Sequence, residues 1–479
     1  MKENFRYVKK EDRKKILLLC DDIRMHSGIA TMAREIVMGT SHHFNWLNVG
    51  AAINHPDNGK GFDLSNDVNA LTGLEDAWVR VLGSNGYGDA NLIRGLIQQE
   101  KPDAIFIFTD PRYWVWLFEL EREIRNQIPI YYLNIWDDLP APLYNKPYYE
   151  SCDLLMAISK QTKNINEIVL GDQAKGKLIK YVPHGINENH FFPIREGHES
   201  FELLKEFKTK MFEGKDIEFV VLFNSRNIRR KSPGDVILSY KLFCDMIGKE
   251  ASKKCALIMH TQAVDENGTD LYAVREALCD ENVNVFFSQD KLETPQMNLL
   301  YNIVDVGLLI TSNEGWGLSL TETMMSGRMI IANVTGGMQD QMRFEHNGEW
   351  INFTPDFPSN HRGTVRDCGD WAVPVFPSNI SLVGSVPTPY IFDDRCAPED
   401  VAKALCEVYE LPKEERERRG LLAREWVTSD ESGMSARQMC ENVIDAMDEA
   451  FENFTPRPRY ELLKVTDRPK KRITHKLIY

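Results

Sequence analysis

A chain of 479 residues is too long for one hydrophobic core, and two domains are the expectation. Its formal charge of −14 tells against nonspecific nucleic-acid binding by the body of the protein, though not against a local basic patch. Nine scattered cysteines, an odd number with no CxxC pair, indicate neither a zinc site nor a disulfide framework and fit a reducing, cytoplasmic setting.

The charged lead-in MKENFRYVKKEDRKK lacks the apolar stretch of a signal peptide, and no run nears the roughly 18 apolar residues of a membrane span. Residues 16–20 form an apolar run short enough for a buried parallel strand. It ends in Asp21-Asp22 and is followed by His26-Ser27-Gly28 and a helical pattern through Ile29, Met32, Ala33, Ile36 and Val37. Strand, glycine loop and helix in that order face a ligand in doubly wound folds; the plain alternative is an ordinary βα turn. Apolar runs at 44–47, 104–108, 130–133, 154–158 and 179–182, with helical stretches at 90–99 and 116–126, predict a parallel sheet covered on both faces. The polar loop 48–61 is either a wall of an acceptor site or a surface insertion. After the strand at 130–133 comes Asn134-Ile135-Trp136-Asp137-Asp138-Leu139-Pro140. Its two acids can position or deprotonate a hydroxyl, or begin a helix as cap and first-turn acid. His184, in Val182-Pro183-His184-Gly185, is either a base or a structural residue beside a hinge.

The charged helical stretch 196–215 reads as a connection, so that 1–200 is one Rossmann-like domain and 201–450 a second, with 451–479 a basic C-terminal segment. The second α/β series runs through 219–224, 256–260, 283–287, 306–310 and 329–333. Its first strand leads straight into Ser225-Arg226-Asn227-Ile228-Arg229-Arg230-Lys231. Thr294-Pro295 marks a helix start, with Thr294 as the capping hydroxyl. The stretch 311–337, TSNEGWGLSLTETMMSGRMIIANVTGG, carries two carboxylates, Glu314 and Glu322, eight residues apart. Gly315 and Gly317 let backbone approach a ligand, and the helix that follows offers its free N–H groups to the same place. Carboxylates are poor partners for phosphate, so the two acids suit hydroxyls and the amides suit charge; a nucleotide sugar has both kinds of group. Residues 341–395, rich in Pro, Gly and Asn, break the rhythm and read as an insertion with a part in acceptor recognition. Helical sequence follows from 398 to about 454. The last 24 residues hold eight Lys/Arg against two acids, for packing on acidic surface or for contact with a phosphate backbone.

Glu, seven residues, Glu, with Gly-aromatic-Gly after the first acid and Ser-Gly after the second, resembles the signature of the retaining GT-B glycosyltransferases. The resemblance implies two Rossmann-like domains facing across a cleft, with a C-terminal helix crossing back to the first. It makes Arg226 and Lys231 the pair that grips the donor diphosphate, where fixed cations stabilise the charge growing on the leaving group. It implies donor contacts from Gly28, Gly315, Trp316, Gly317 and Leu318, with sugar hydroxyls on Glu314 and ribose hydroxyls on Glu322. Where many members carry His-Asp, this chain has Trp136-Asp137, which leaves Glu314, Asp137 and Asp138 as the catalytic candidates and His26 and His184 as outlying ones. No metal and no cofactor are expected beyond the donor, a UDP-sugar by preference. The implied reaction retains anomeric configuration, the leaving phosphate taking the acceptor proton, so neither a Ser/His/Asp triad nor a matched carboxylate pair is needed.

The wording of 45–65 and 109–140 is similar to glycosyltransferases of large tailed phages, some of which place glucose or arabinose on hydroxymethylcytosine in DNA. That resemblance implies a DNA acceptor with its base flipped outward, met by the basic tail and the loop 54–60. The alternatives are a polysaccharide or protein glycosyltransferase of the same class, and a GT-B-shaped epimerase or non-catalytic binding protein.

Overall fold

The computed structural model describes residues 6–458 and 460, so the basic tail lies almost wholly outside the described residues. The first half is one eight-stranded sheet built from β1 (Lys14–Asp21), β2 (Phe44–Ala52), β3 (Gly61–Asp63), β4 (Val79–Asn85), β5 (Ala104–Phe108), β6 (Ile130–Asn134), β7 (Leu154–Ala157) and β8 (Leu178–Tyr181). The strands lie in the order β3-β4-β2-β1-β5-β6-β7-β8, all parallel except the short edge strand β3. Burial on both faces explains the unbroken apolar runs. In β1, Ile16 and Leu18 enter one core layer while Leu17 and Leu19 enter the other. β4 was not among the expected runs, because VRVLGSN alternates and ends in polar residues.

The second sheet contains β9 (Phe219–Asn224), β10 (Cys255–His260), β11 (Asn284–Ser288), β12 (Val306–Leu309) and β13 (Met329–Asn333). After the two-residue pair β14 (Glu345–His346) and β15 (Glu349–Trp350), β16 (Ala372–Val375) joins it as an edge. Its order is β11-β10-β9-β12-β13-β16, all parallel. The stretch 341–395 is therefore not all insertion, since β16 extends the sheet beside β13. What projects is a hairpin, β17 (Asn379–Ser385) and β18 (Thr388–Arg395). The helix expected to be capped by Thr294 is Thr294–Asn302, and its cap is not Thr294 but Glu293, one residue earlier, whose N–H is accepted by the Gln296 side chain at 3.1 Å.

Strand order reverses between β1 and β5 in the first sheet and between β9 and β12 in the second, and these switch points face each other. A Cβ placed on Gly28 would lie 3.6 Å from Leu318, and one on Gly315 would lie 3.0 Å from the Ile135 carbonyl. Helix Ala436–Asn453 returns to the first half and packs on helix Gly28–Thr40, with Cys440 seated where Gly39 has no side chain. His43–Asp448 at 3.0 Å and Lys180–Glu449 at 2.6 Å fasten it there. All nine cysteines are free, and among the described residues no helix is long and apolar enough to cross a membrane.

The returning helix enters beside Gly185, where a Cβ would stand 2.2 Å from the Ser435 carbonyl oxygen and 2.8 Å from the Ala436 nitrogen. Both are backbone atoms, so no rotamer change relieves the clash. Gly185→Ala is expected to cost about 1–3 kcal/mol in urea unfolding, the usual range for overpacking. A change within about 0.5 kcal/mol would mean that this crossing is looser than drawn.

Candidate active site

Five strand-end loops, after β1, β6, β9, β12 and β13, converge between the sheets. The loop after β9 carries Arg229–Lys231 as a single tight turn, pinned to the loop after β12. Ser312 N–H donates to the Arg230 carbonyl at 2.8 Å, and the Thr311 hydroxyl donates to the same oxygen at 2.9 Å. This brings Lys231 against Glu314, and the two form an ion pair with side chains only 11% and 13% exposed. Arg230 joins it, Nη1 lying 3.3 Å from Glu314 Oε2 and 2.7 Å from the Asn313 carbonyl. Burial raises the Glu314 carboxyl, but Lys231 and Arg230 outweigh it and hold the group below its ordinary value. Burial pushes the Lys231 amine down, with Glu314 opposing.

Glu322 sits one turn along helix Leu318–Met325 and accepts a short hydrogen bond from the Tyr301 hydroxyl. That hydroxyl in turn accepts from Asn224 Nδ2 at 2.7 Å, so the end of β9 and the helix behind β12 share one polar chain. Burial lifts the Glu322 carboxyl to about 7, and the Tyr301 bond keeps it from going higher.

From the first half, Asp137 and Asp138 follow β6 and face this cluster. Burial lifts Asp137 to about 6, with Arg230 opposing and Glu314 adding to the rise. Asp138 is pushed well above the carboxylate range by burial and then by Asp137. Gly336 lies beside them, and a Cβ placed on it would stand 3.4 Å from the Asp137 Cβ. At the Gly28 loop, Ser27 caps the helix through Ala30 N–H and donates its own hydroxyl to Asp21 at 2.5 Å.

The other expected residues are placed differently. Arg226 is exposed and paired with Asp265 at 3.1 Å, away from Glu314; Arg230, its neighbour in the same basic run, takes the place beside the carboxylate. Trp316 is buried, its indole N–H on Thr321 at 2.9 Å, so it supports the loop from behind. His184 is buried between Phe108 and Trp316, its Nδ1 without a hydrogen-bond partner, and burial drops it to about 3. A ring so placed stays neutral behind the cleft. His26 is exposed, with Nε2 2.6 Å from Lys291 Nζ across the two halves. Gly315 and Gly317 serve packing, the first against Ile135 and the second as the left-handed residue (φ +91°) that starts the helix. Leu318 closes over Gly28. Among the described residues no group of three His, Cys, Asp or Glu side chains could hold a metal. Tyr301 and Arg230 were not singled out from the sequence; Arg230 had a signal, its place in the basic run, and Tyr301 had none.

No protein-family model matches the chain, and no curated protein matches it. Solved structures match over nearly its whole length. A sucrose-phosphate synthase from Thermosynechococcus elongatus superposes with a TM-score of 0.63 at 12% identity, covering 92% of this chain and 100% of its own. HepE of Anabaena in complex with UDP-glucose gives 0.60 at 13% identity, over 91% of this chain and 100% of its own. A glycosyltransferase from Rickettsia africae gives 0.60 at 14% identity, over 92% and 100%. The likeness is one of fold, and the fold is GT-B: two parallel Rossmann-like sheets about a cleft, with a C-terminal helix that returns to the first.

Because the Glu322 carboxyl is raised in the folded chain, its share of stability is full below its ordinary value of 4.5 and is lost as pH rises through about 7. Glu322→Gln is expected to flatten that fall in part, leaving the shares of Asp137 and Asp340, both raised to about 6, and of Asp394, raised to about 7. Tyr301→Phe is expected to raise the carboxyl further, since the lost bond favours the charged form. Urea unfolding of each variant at about pH 5 and about pH 7.5 measures this. A wild-type slope in Glu322→Gln would show that the carboxyl titrates as if in water.

Proposed function

We propose that this chain is a nucleotide-sugar glycosyltransferase, moving a sugar from a nucleoside diphosphate to an acceptor hydroxyl with retained configuration. The observation that carries the reading is the nearly buried Glu314–Lys231 pair, with the exposed Arg230 beside it, at the second sheet's switch point, facing Asp137 and the Gly28 loop. The fold supports it, since neighbours of that fold include HepE with UDP-glucose and an Escherichia coli trehalose-6-phosphate protein bound with UDP-2-fluoro glucose. A UDP-sugar is accordingly the proposed donor, with 201–450 as the donor half and 1–200 as the acceptor half.

In this reading the donor diphosphate takes Lys231 from Glu314 and draws Arg226 from Asp265. Glu314, relieved of its lysine, accepts from sugar hydroxyls, and Glu322 with Tyr301 receives the ribose. The bond from C1 to the phosphate oxygen breaks, the bond from C1 to the acceptor oxygen forms, and the acceptor proton passes to the departing phosphate. Cations already fixed beside the diphosphate stabilise the charge that grows there without reorganising. Asp137 orients the acceptor hydroxyl.

For the acceptor, the carbohydrate alternative is favoured over hydroxymethylcytosine in DNA. Neighbours whose names speak of sucrose phosphate and trehalose 6-phosphate support a carbohydrate, while the DNA reading rests on the sequence resemblance and on a tail outside the described residues. Incubation with labelled UDP-sugars and either an oligosaccharide panel or hydroxymethylated duplex DNA separates the two.

Lys231→Ala and Glu322→Ala are each expected to weaken UDP-glucose binding at least about tenfold, which is about 1.4 kcal/mol. Isothermal calorimetry with UDP-, GDP- and ADP-sugars reads it. Unchanged affinity in both variants would favour a GT-B-shaped scaffold whose nucleotide, if any, lies elsewhere.

A further inference from the structure

The hairpin β17–β18 belongs to the second half by sequence yet is bonded to the first. Phe392 N–H donates to the Leu139 carbonyl at 2.6 Å, and Tyr144 Oη donates to the Tyr390 carbonyl at 3.0 Å. The Tyr390 ring meets Tyr144 edge-on at 5.0 Å, and Arg112 donates to the Thr388 hydroxyl. At its root the hairpin is held to the second half, Asp394 N–H on the Ser312 carbonyl at 2.9 Å and Thr335 on the Asp394 carboxylate at 2.7 Å. Under this bridge lies a cavity of about 380 Å³, roofed by Val383–Ser385, Thr388, Ile391 and Asp393, with Asp137, Asp138 and Arg230 on its floor. Its volume is that of a small-molecule site, not of a duplex groove.

The charges in that cavity are unevenly spent. Arg112 is forked onto Asp110, its Nε 2.8 Å from Oδ1, and Arg230 is engaged by Glu314. Asp393 accepts from Ser312 and Asn313 at 3.3 Å each. Among the described residues no side chain donates to the Asp137 or Asp138 carboxylate. Arg229 is the cation left over, against two acids. Open carboxyl groups beside hydroxyls and aliphatic carbons suit a polyol, whose hydroxyls donate to an ionised carboxylate and accept from a protonated one. A phosphate dianion would bring two more negative charges against Asp137 and Asp393, with Arg229 the cation left to meet them.

We infer that this cavity is the acceptor site and that the hairpin Asn379–Arg395 selects a neutral polyhydroxy acceptor, a sugar or oligosaccharide end, against phosphorylated sugars and DNA. The inference rests on the glycosyltransferase reading and narrows it. Both sugar-phosphate names among the fold neighbours belong to other chains, and the acids here argue for a different acceptor.

The test uses the full chain, UDP-glucose, and three acceptor sets: neutral mono- and oligosaccharides, their phosphorylated counterparts, and hydroxymethylated duplex DNA. Neutral sugars are expected to raise UDP release at least about tenfold over water alone, and the other two sets are not. Ser385→Trp places a large ring in the cavity from an exposed position, and is expected to cut transfer at least about tenfold while the UDP Kd by calorimetry moves less than about twofold. Asp393→Arg is expected to lower turnover of the neutral acceptor and raise that of the phosphorylated one. Preference of the unaltered chain for phosphorylated sugar or DNA overturns the inference, as does full transfer by Ser385→Trp. Absence of UDP binding in the unaltered chain overturns the parent reading and this one with it; UDP binding without any acceptor response overturns this one alone.

Discussion

Lys231 and Glu314 are charges held almost out of water at the meeting of two sheets, and the rest of the cleft is arranged around that fact. Removing an ion from water costs several kcal/mol, and a buried pair recovers this only with good geometry and further hydrogen bonds. Here the recovery comes from Arg230, which bonds both the carboxylate and the Asn313 carbonyl. A hydrophobic pair of similar size would hold the loops together at less cost. What an ion pair adds is exchangeable partners: an arriving anion can take the ammonium, and arriving hydroxyls can take the carboxylate, without any charge being left bare.

The backbone that sets this up depends on missing side chains. A Cβ on Gly336 would fall 2.0 Å from the Glu314 carbonyl oxygen, and one on Gly337 would fall 2.3 Å from that of Gly315. The loop after β13 thus lies directly on the loop after β12, and Gly337 N–H donates to the Glu314 carbonyl at 3.1 Å. Asn333, at the end of β13, donates to the Thr311 carbonyl at 2.8 Å and to that of Asp394 at 2.7 Å. One buried amide therefore fixes the start of the glutamate loop and the root of the hairpin together, so the donor cluster and the cavity roof share a frame.

Much of this was legible because strand ends announce themselves. The apolar runs ending at Cys20, Asn224 and Ile310 are buried on both faces, and the loops after them carry the charged residues picked out from sequence. β4 escaped because its half-polar alternation lacks that signature, and β16 because Pro374 within it reads as a break; at a sheet edge Pro is tolerated. Side-chain partners were less readable. Arg226 and Lys231 have a spacing that resembles that of the retaining GT-B enzymes, but only the fold reveals that Asp265 holds the first while Arg230 stands next to Glu314. His184 reads from sequence as either a base or a structural residue beside a hinge, and three-dimensional packing against Phe108 and Trp316 makes it a buried neutral ring. The hairpin's crossing to the first half depends on contacts some 250 residues apart in sequence, such as Leu143 with Tyr390, which no local pattern encodes.

The two halves are joined by two kinds of contact, and they fall on different sides of the cleft. Away from its mouth, helix Ala436–Asn453 buries Val443, Ile444 and Met447 in a core continuous with both sheets. That apolar burial cannot be traded for ligand contacts. At the mouth the joins are polar: His26 meets Lys291, and the hairpin meets the loop after β6 through hydrogen bonds. Each such bond contributes about 1 kcal/mol net, because water or a ligand can replace either partner. Disruption on binding is thus inexpensive at the mouth and costly at the back. A ligand whose hydroxyls and phosphates substitute for these groups changes the front of the cleft while the apolar joint behind it stays shut, which makes the charged loops, and not the sheets, the adjustable part of the molecule.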